Sequence, residues 1–227
     1  MKKMWLLAWL FSAQVLASPP LPAAAQQELR GTAVSVDDGR VLYTEYHQWH
    51  DDWHRAEYRA PDGTLLAVNE LDYSPGRSQP AFIQTDKITG DTEGARWDGV
   101  KLILFHGSRS KVIAYREPLV ISSGFNNFVL EHWDDLLANR IWTVDFAVPQ
   151  HLAIVGLKVR RITAEQSRIP NRDPHWIYLR VQAANPILSW FVDPVDLAYS
   201  PDRYLRVYRG SSNLEIAGRM PSVEIRY

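Results

Sequence analysis

The sequence Trp142-Thr143-Val144-Asp145-Phe146-Ala147-Val148 alternates large apolar side chains with small or polar ones. Successive side chains of a β-strand point to opposite faces of the sheet, so this period of two predicts a strand with one packed face. The same period recurs in three later segments, at 155–160, 176–181 and 223–227. A packed face opposite a solvated face is typical of antiparallel sheets.

The first half of the chain adds turn chemistry to this pattern. Short glycine-containing turns separate runs rich in β-branched and aromatic residues: Asp37-Asp38-Gly39, Pro61-Asp62-Gly63, Thr89-Gly90-Asp91 and Trp97-Asp98-Gly99. Glycine supplies the positive φ angles that tight hairpin turns require, so we expect the chain to run as a meander. We predict strands at 31–36, 41–50, 54–60, 64–73, 81–87, 93–97, 100–106 and 111–117. The predicted fold class is mainly β, an antiparallel barrel or half-barrel.

One amphipathic α-helix is predicted near 123–138, inside this β-rich chain. Its large apolar residues recur at spacings of three and four: Phe125, Phe128, Val129, Trp133, Leu136 and Leu137. This spacing produces one buried stripe, and we expect Ser122 or Ser123 to cap the helix by accepting a backbone N–H. A short helical turn is predicted at 186–192, because Pro186 suits the first helical position.

The N-terminus has the features of a secretory signal. Two lysines are followed by the apolar run 5–11 and then by small residues. This arrangement predicts a signal peptide at 1–17, with an alternative cleavage site after Ala25. Residues 18–28 then form an extended leader, and 29–227 form a single β-rich domain. We therefore expect a soluble periplasmic protein.

The composition argues against several classes of function. The 227 residues carry 25 Lys and Arg against 26 Asp and Glu, and this near balance argues against nucleic-acid binding. The absence of cysteine excludes disulfides, cysteine-ligated zinc, iron–sulfur clusters, a thiol nucleophile and a lipidated cysteine. Neither a nucleophile elbow nor a phosphate-binding glycine loop occurs in the sequence. We therefore nominate no catalytic residue and expect no cofactor.

A group of three histidines is the metal candidate in the sequence. His47, His50 and His54 lie within eight residues, next to two aspartates at 51–52. Imidazoles and carboxylates are common metal ligands. Because alternate strand positions point to opposite faces, the three side chains converge only if the chain turns at 51–52. The alternative interpretation is a polar, aromatic hairpin tip that holds no metal.

Two segments carry a resemblance to other proteins: Ser123-Gly124-Phe125-Asn126-Asn127-Phe128 with His132-Trp133-Asp134, and Tyr204-Leu205-Arg206-Val207-Tyr208-Arg209-Gly210-Ser211-Ser212-Asn213-Leu214. They resemble segments of uncharacterised secreted proteins of Gram-negative bacteria, and this resemblance transfers no activity. The order of strands, helix and further strands is similar to the half-barrel of the carrier and receptor proteins that move lipoproteins to the outer membrane. That architectural resemblance implies a concave apolar face, covered by helices, that holds acyl chains. The chain lacks the lipidated cysteine of such a receptor.

The leading hypothesis is a non-catalytic periplasmic protein that binds an apolar or amphipathic, lipid-like ligand. Apolar pockets with few polar groups are the usual small-molecule sites, and the predicted ligand-binding residues are aromatic: Phe125, Phe128, Trp133, Trp142 and Phe146. We expect Trp190 and Phe191 to contact a membrane surface or an envelope protein. Two alternatives stay open. One is an envelope structural or interaction protein without a ligand cavity, and the other is a metal-dependent or hydrolytic enzyme that uses His47, His50 and His54.

Overall fold

The computed structural model describes residues 29–185, 193–216 and 218–227. The predicted signal peptide, the leader and the turn at 186–192 with Trp190 and Phe191 lie outside the described residues. The strands are β1 Leu29–Ser35, β2 Val41–His50, β3 Trp53–Arg59, β4 Leu65–Asp72, β5 Ala81–Asp86, β6 Thr92–Asp98, β7 Lys101–His106, β8 Arg109–Ile113, β9 Leu119–Val120, β10 Trp142–Val148, β11 Ala153–Ile162, β12 Ile177–Ala183, β13 Val195–Tyr199, β14 Leu205–Ser211 and β15 Ser222–Arg226. The helices are α1 Gly124–Glu131 and α2 Trp133–Leu137, and a 3₁₀ turn spans Pro149–His151.

The described strands form one sheet, in the order β8-β7-β6-β5-β4-β3-β2-β1-β15-β14-β13-β12-β11-β10-β9. Neighbouring strands are antiparallel, except that the short β9 is parallel to β10. The C-terminal strand β15 pairs with β1 on one side and β14 on the other, which joins the two halves of the chain. Because β8 and β9 are the two edges, hydrogen bonds do not close the sheet into a barrel.

The structure confirms a mainly β, largely antiparallel meander. Seven of the eight strands predicted in the first half match β1–β7 within two residues. The eighth, predicted at 111–117, is β8 and ends at Ile113, because Ile113 pairs with Leu102 near the start of the partner strand β7. The sequence did not reveal β9, β13 or β14. In β13 four of the five residues are buried, including Asp196, so no apolar–polar alternation is visible.

The prediction of a single helix is wrong, because the chain forms two short helices. They are separated at His132, whose φ of −107° and ψ of 21° are not helical. The predicted capping is also wrong: Ser122 has a φ of 48°, and Ser123 makes no side-chain capping hydrogen bond. Ser123 already has helical dihedral angles, whereas a capping side chain needs an extended residue. The described part of the chain has no helix long and apolar enough to cross a bilayer.

We call inner face the side of the sheet that carries Tyr43, Leu197 and Val144. The helices α1 and α2 cover this face over β10–β13, where Phe128 and Trp133 pack in one core cluster with Val144 and Leu197. A second cluster, around Tyr43, lies on the inner face of β1–β4 and β15. The inner face is therefore the side on which most of the core is built.

The two ends of the sheet overlap. Leu119 and Ala147 lie on the outer face of β9 and β10, and they share a core cluster with Leu71 and Leu104 from the inner face of β4 and β7. The 3₁₀ turn after β10 lies against β6 and β7. The sheet is therefore rolled, with one end stacked on the inside of the other, and this arrangement is consistent with a half-barrel.

A candidate functional site inside the rolled sheet

A row of polar side chains crosses the inner face of the first half of the sheet. Strand register places the following residues opposite one another, with Ala56 between the first two: His47, Asn69, Gln84, Glu93 and His106. Glu45 and His54 lie on the same face, beside His47. We call these seven residues the inner polar band. Apolar core residues flank the band on the same strands: Ala67, Leu71, Phe82, Ala95 and Leu104.

A chain of hydrogen bonds runs through one end of the band. Oε2 of Glu45 accepts from the Tyr227 hydroxyl at 2.7 Å and lies 3.1 Å from Nε2 of His47. Nδ1 of His47 lies 3.0 Å from Nε2 of His54, and Nδ1 of His54 lies 3.5 Å from the Tyr73 hydroxyl. The chain thereby links five side chains. Three lie on β2 and β3, and the two tyrosines lie directly after β4 and β15.

Oε2 of Glu45, which accepts from the Tyr227 hydroxyl, sets the direction of this chain. It accepts from the Nε2–H of His47, which leaves Nδ1 of His47 as an acceptor for the Nε2–H of His54. Nδ1 of His54 then accepts from the Tyr73 hydroxyl, so the ring of His54 carries its proton on Nε2. Burial, and secondly the nearby His47, lower the pKa of His54 from 6.5 to about 3, in keeping with a neutral ring.

Tyrosines surround the carboxylate of Glu45. Burial raises the pKa of Tyr227, and the charge of Glu45 raises it further. Burial and the same charge act in the same direction on Tyr43, Tyr58 and Tyr208. All four phenols therefore stay protonated at neutral pH and add no second negative charge beside Glu45.

Several polar atoms of the band have no hydrogen-bond partner among the described residues. They are the buried atoms Glu45 Oε1, Asn69 Oδ1 and His106 Nδ1; Trp142 Nε1, outside the band, is a further such atom. A buried polar atom without a partner costs about 1–3 kcal/mol, and folded proteins contain few of them. Because these atoms lie on one face, the band is a part of the interior that could form further hydrogen bonds with a ligand.

The other end of the band contacts the overlapping end of the sheet. Nε2 of Gln150, in the 3₁₀ turn, donates to Oε1 of Glu93 at 2.5 Å, and Nδ1 of His106 lies 3.9 Å from Oε2 of Glu93. Burial raises the pKa of Glu93, against the opposing effects of His106 and Gln150. Gln84 reaches across the roll and donates to the carbonyl of Asn213 at 3.2 Å.

The three candidate metal-binding histidines do not come together. The chain turns at Asp51 and Asp52, and the hairpin brings His47 and His54 into contact on the inner face. His50 lies on the opposite face and is exposed, as strand alternation requires. The described residues contain no group of three side chains of the kind that holds a metal ion. Within this hairpin, the tip is polar and aromatic, with Trp49 stacked on His54 at 4.7 Å between ring centres.

The predicted ligand-binding aromatic residues meet in one cluster between the helices and the sheet. Phe128 and Trp133 are only 1% and 5% exposed, whereas Phe125, Trp142 and Phe146 are half-buried. Their rings pack on one another: Phe128 lies 5.9 Å from Trp142, and Phe125 lies 6.5 Å from Phe146. Phe128 and Trp133 can thus reach a ligand only if the helix pair moves.

A surface groove of about 500 Å³ lies elsewhere, on the loop after β11. It is lined by residues that include Arg161, Glu165, Pro174 and Trp176. None of the predicted ligand-binding residues lines this groove.

Sequence reasoning missed Glu45, Asn69, Gln84, Glu93 and His106. Each one sits two residues from an apolar core residue on its strand, for example Asn69 between Ala67 and Leu71. A polar residue in the apolar phase of a strand is the signal that could have identified them. Single positions of this kind are not conspicuous, because only the pairing of the strands lines them up.

Comparison with known proteins supports the fold alone. No family model matches the chain, and no curated protein matches it by sequence. One solved structure similar to this chain is the crystal structure of a β-barrel-like protein of domain of unknown function DUF1849 from Brucella abortus. The two are 5% identical with a TM-score of 0.50, and the alignment covers 88% of this chain and 95% of that chain. The expectation of a β-barrel-like fold is therefore confirmed.

Proposed function

We propose that this protein is a non-catalytic periplasmic protein that binds an amphipathic, lipid-like molecule inside its rolled sheet. The observation that carries the proposal is the inner polar band, whose buried unpartnered atoms are set among apolar side chains. Small-molecule sites combine an apolar lining with a few polar groups that orient the ligand. A ligand with an apolar body and a polar end matches both parts of the inner face.

The position of the ligand differs from the one predicted from the sequence. Because Phe128 and Trp133 are covered by their own cluster, the polar band is the first contact in this proposal. In this proposal the helix pair covers β10–β13, and the half-buried Phe125, Trp142 and Phe146 contact the apolar part of the ligand.

Binding is tested with the mature protein and the neutral apolar dye N-phenyl-1-naphthylamine. We expect a saturable increase in fluorescence and its displacement by decanol, whose hydroxyl can donate to Oδ1 of Asn69. Asn69→Leu removes that acceptor at similar volume and should weaken displacement about threefold to tenfold, the usual value of one hydrogen bond. Glu70→Leu is the matched control, because the adjacent side chain lies on the outer face and pairs with Arg55. Absence of saturable dye binding to the wild type would exclude the proposal.

Periplasmic location requires its own experiment. Fractionation of cells that express the full chain should place the protein in the periplasmic fraction. Mass spectrometry should give an N-terminus at Ser18, or at Gln26 if the second site is cleaved. Recovery of the uncleaved chain from the cytoplasm would contradict this part of the proposal.

The packing of the aromatic cluster favours a second candidate. A solid interior, in which Phe128 and Trp133 have almost no exposed surface, suits an envelope structural or interaction protein without a ligand cavity. The same dye titration separates the two candidates, since a solid interior binds no dye.

A further inference from the structure

We propose that the polar end of the ligand is a primary ammonium group, bound by Oε1 of Glu45. This inference rests on the proposed function and adds the chemical class of the ligand. It starts from the unequal surroundings of the two carboxylate oxygens. Oε2 is satisfied by the Tyr227 hydroxyl and by His47, whereas Oε1 is buried and has no partner among the described residues.

Among the described residues, no lysine or arginine forms an ion pair with this carboxylate. The side chain of Glu45 is 2% exposed, and its basic neighbour is His47, whose Nε2 lies 3.1 Å from Oε2. A buried carboxylate is unfavourable unless it is paired and fully hydrogen-bonded. An ammonium group supplies both a positive charge and N–H donors, whereas a hydroxyl supplies only a donor and a carboxylate supplies neither.

The neighbouring hydroxyls do not take up the free oxygen. The Tyr43 hydroxyl hydrogen bonds with Oγ of Ser212 at 3.1 Å, and the Tyr208 hydroxyl donates to the carbonyl of Ser211 at 2.7 Å. A buried carboxylate with one free oxygen is therefore a setting that favours an ammonium group over an anion.

Partly exposed residues lie beside the buried carboxylate. His47, next to Glu45, keeps 11% of its side chain exposed, and Trp49 and Tyr227 are half-buried. Trp49 stacks on the rings of both His47 and His54 at this end of the band, so we expect it to contact the alkyl chain. The polar end and the apolar chain of one ligand would then meet different parts of the same inner face.

The test compares three ligands of equal chain length: decylamine, decanol and decanoate, each below its micelle-forming concentration. Isothermal titration of the wild-type protein should show that decylamine binds at least about tenfold more tightly than decanoate, as expected for one charge-assisted hydrogen bond. Glu45→Gln keeps the shape and removes the charge, and it should abolish the preference. Glu57→Gln, on the outer face of the neighbouring strand, should retain it.

The outcomes separate this inference from the proposed function. Equal binding of the three ligands, or a preference for decanoate, overturns the ammonium assignment and leaves amphipathic binding intact. Absence of binding by all three removes both. The wild-type comparison needs no variant, so it decides the question even if Glu45→Gln fails to fold, which circular dichroism would reveal.

Discussion

Burial of a single imidazole shows how the rolled sheet controls protonation. His54 is 2% exposed. A protonated His54 would therefore be a buried cation without hydrating water, and its hydrogen-bond partners are an imidazole and a phenol rather than a carboxylate. Its pKa is therefore lowered, and its two nitrogens are occupied by His47 and Tyr73. The neutral form of His54 leaves Nδ1 free to accept from the Tyr73 hydroxyl.

The lowered pKa of His54 predicts a loss of stability in acid. In the unfolded chain His54 takes up a proton below its ordinary pKa of 6.5, whereas in the folded protein it does so only near 3. Protons therefore favour the unfolded state as the pH falls from 6.5 towards 3, by about 1.4 kcal/mol per pH unit. Urea unfolding at several pH values measures the free energy of unfolding. Between pH 6.5 and 3 this free energy should fall less steeply with decreasing pH for His54→Gln than for the wild type. Equal slopes would show that His54 is not buried as a neutral group.

An ion pair on the outer face of the sheet holds the strand β13 in place. The carboxylate of Asp196 is fully buried and accepts from Nε and Nη2 of Arg180 at 2.7 and 2.9 Å, and from the backbone N–H of Arg168 at 2.7 Å. Burial acts to raise the pKa of Asp196, but the Arg180 and Arg168 hydrogen bonds outweigh it and the pKa is lowered. One side chain thereby fixes β12, β13 and the loop after β11.

Asp196→Asn is expected to destabilise the fold by about 3 kcal/mol, because it leaves Arg180 largely buried without its carboxylate. Asp202→Asn is the control. Its carboxylate is 58% exposed and pairs with Arg206, so its loss should cost under about 1 kcal/mol. Thermal and urea unfolding measure both variants. Similar losses for the two would contradict the assignment of a structural ion pair.

The shape of the whole molecule depends on the overlap of its sheet ends. Gln150 and Glu93 form a hydrogen bond across this overlap, beside the apolar contacts of Leu119 and Ala147 with Leu71 and Leu104. The carboxyl of Glu93 is partly desolvated there, which raises its pKa. Ionisation of Glu93 therefore works against the overlap.

Glu93→Gln should stabilise the protein at pH 7. A raised pKa means that the stabilising contribution is complete below the unfolded value of 4.5 and is lost as the pH rises through the folded pKa. Glutamine cannot ionise and can still accept from Gln150, so the variant avoids that loss. Unfolding free energies of variant and wild type should converge at pH 4. Glu57→Gln is the control and should destabilise the protein at pH 7, because hydrogen bonds from Arg59 and Arg55 lower the pKa of Glu57 and favour its ionised form. A Glu57→Gln variant more stable than the wild type would contradict the argument.

The sequence could predict those parts of the site that depend on local periodicity, but not those that depend on contacts between strands. Alternation in β2 placed His47 and His50 on opposite faces, and the structure agrees. It could not show that the hairpin sets His54 beside His47, since that contact depends on the register of β2 with β3. The aromatic cluster was predictable because helical spacing puts Phe125 and Phe128 on one stripe, but their mutual packing was not.

The sequence by itself determined most of the strands and the turns between them, because these depend on local periodicity and on backbone conformations that glycine allows. Only the tertiary structure decided that β15 joins β1 to β14, that the sheet ends overlap, and that polar residues far apart in the chain line up on one face. These features depend on pairing between distant segments, and pairing is selected by the burial of the whole apolar surface rather than by any short stretch.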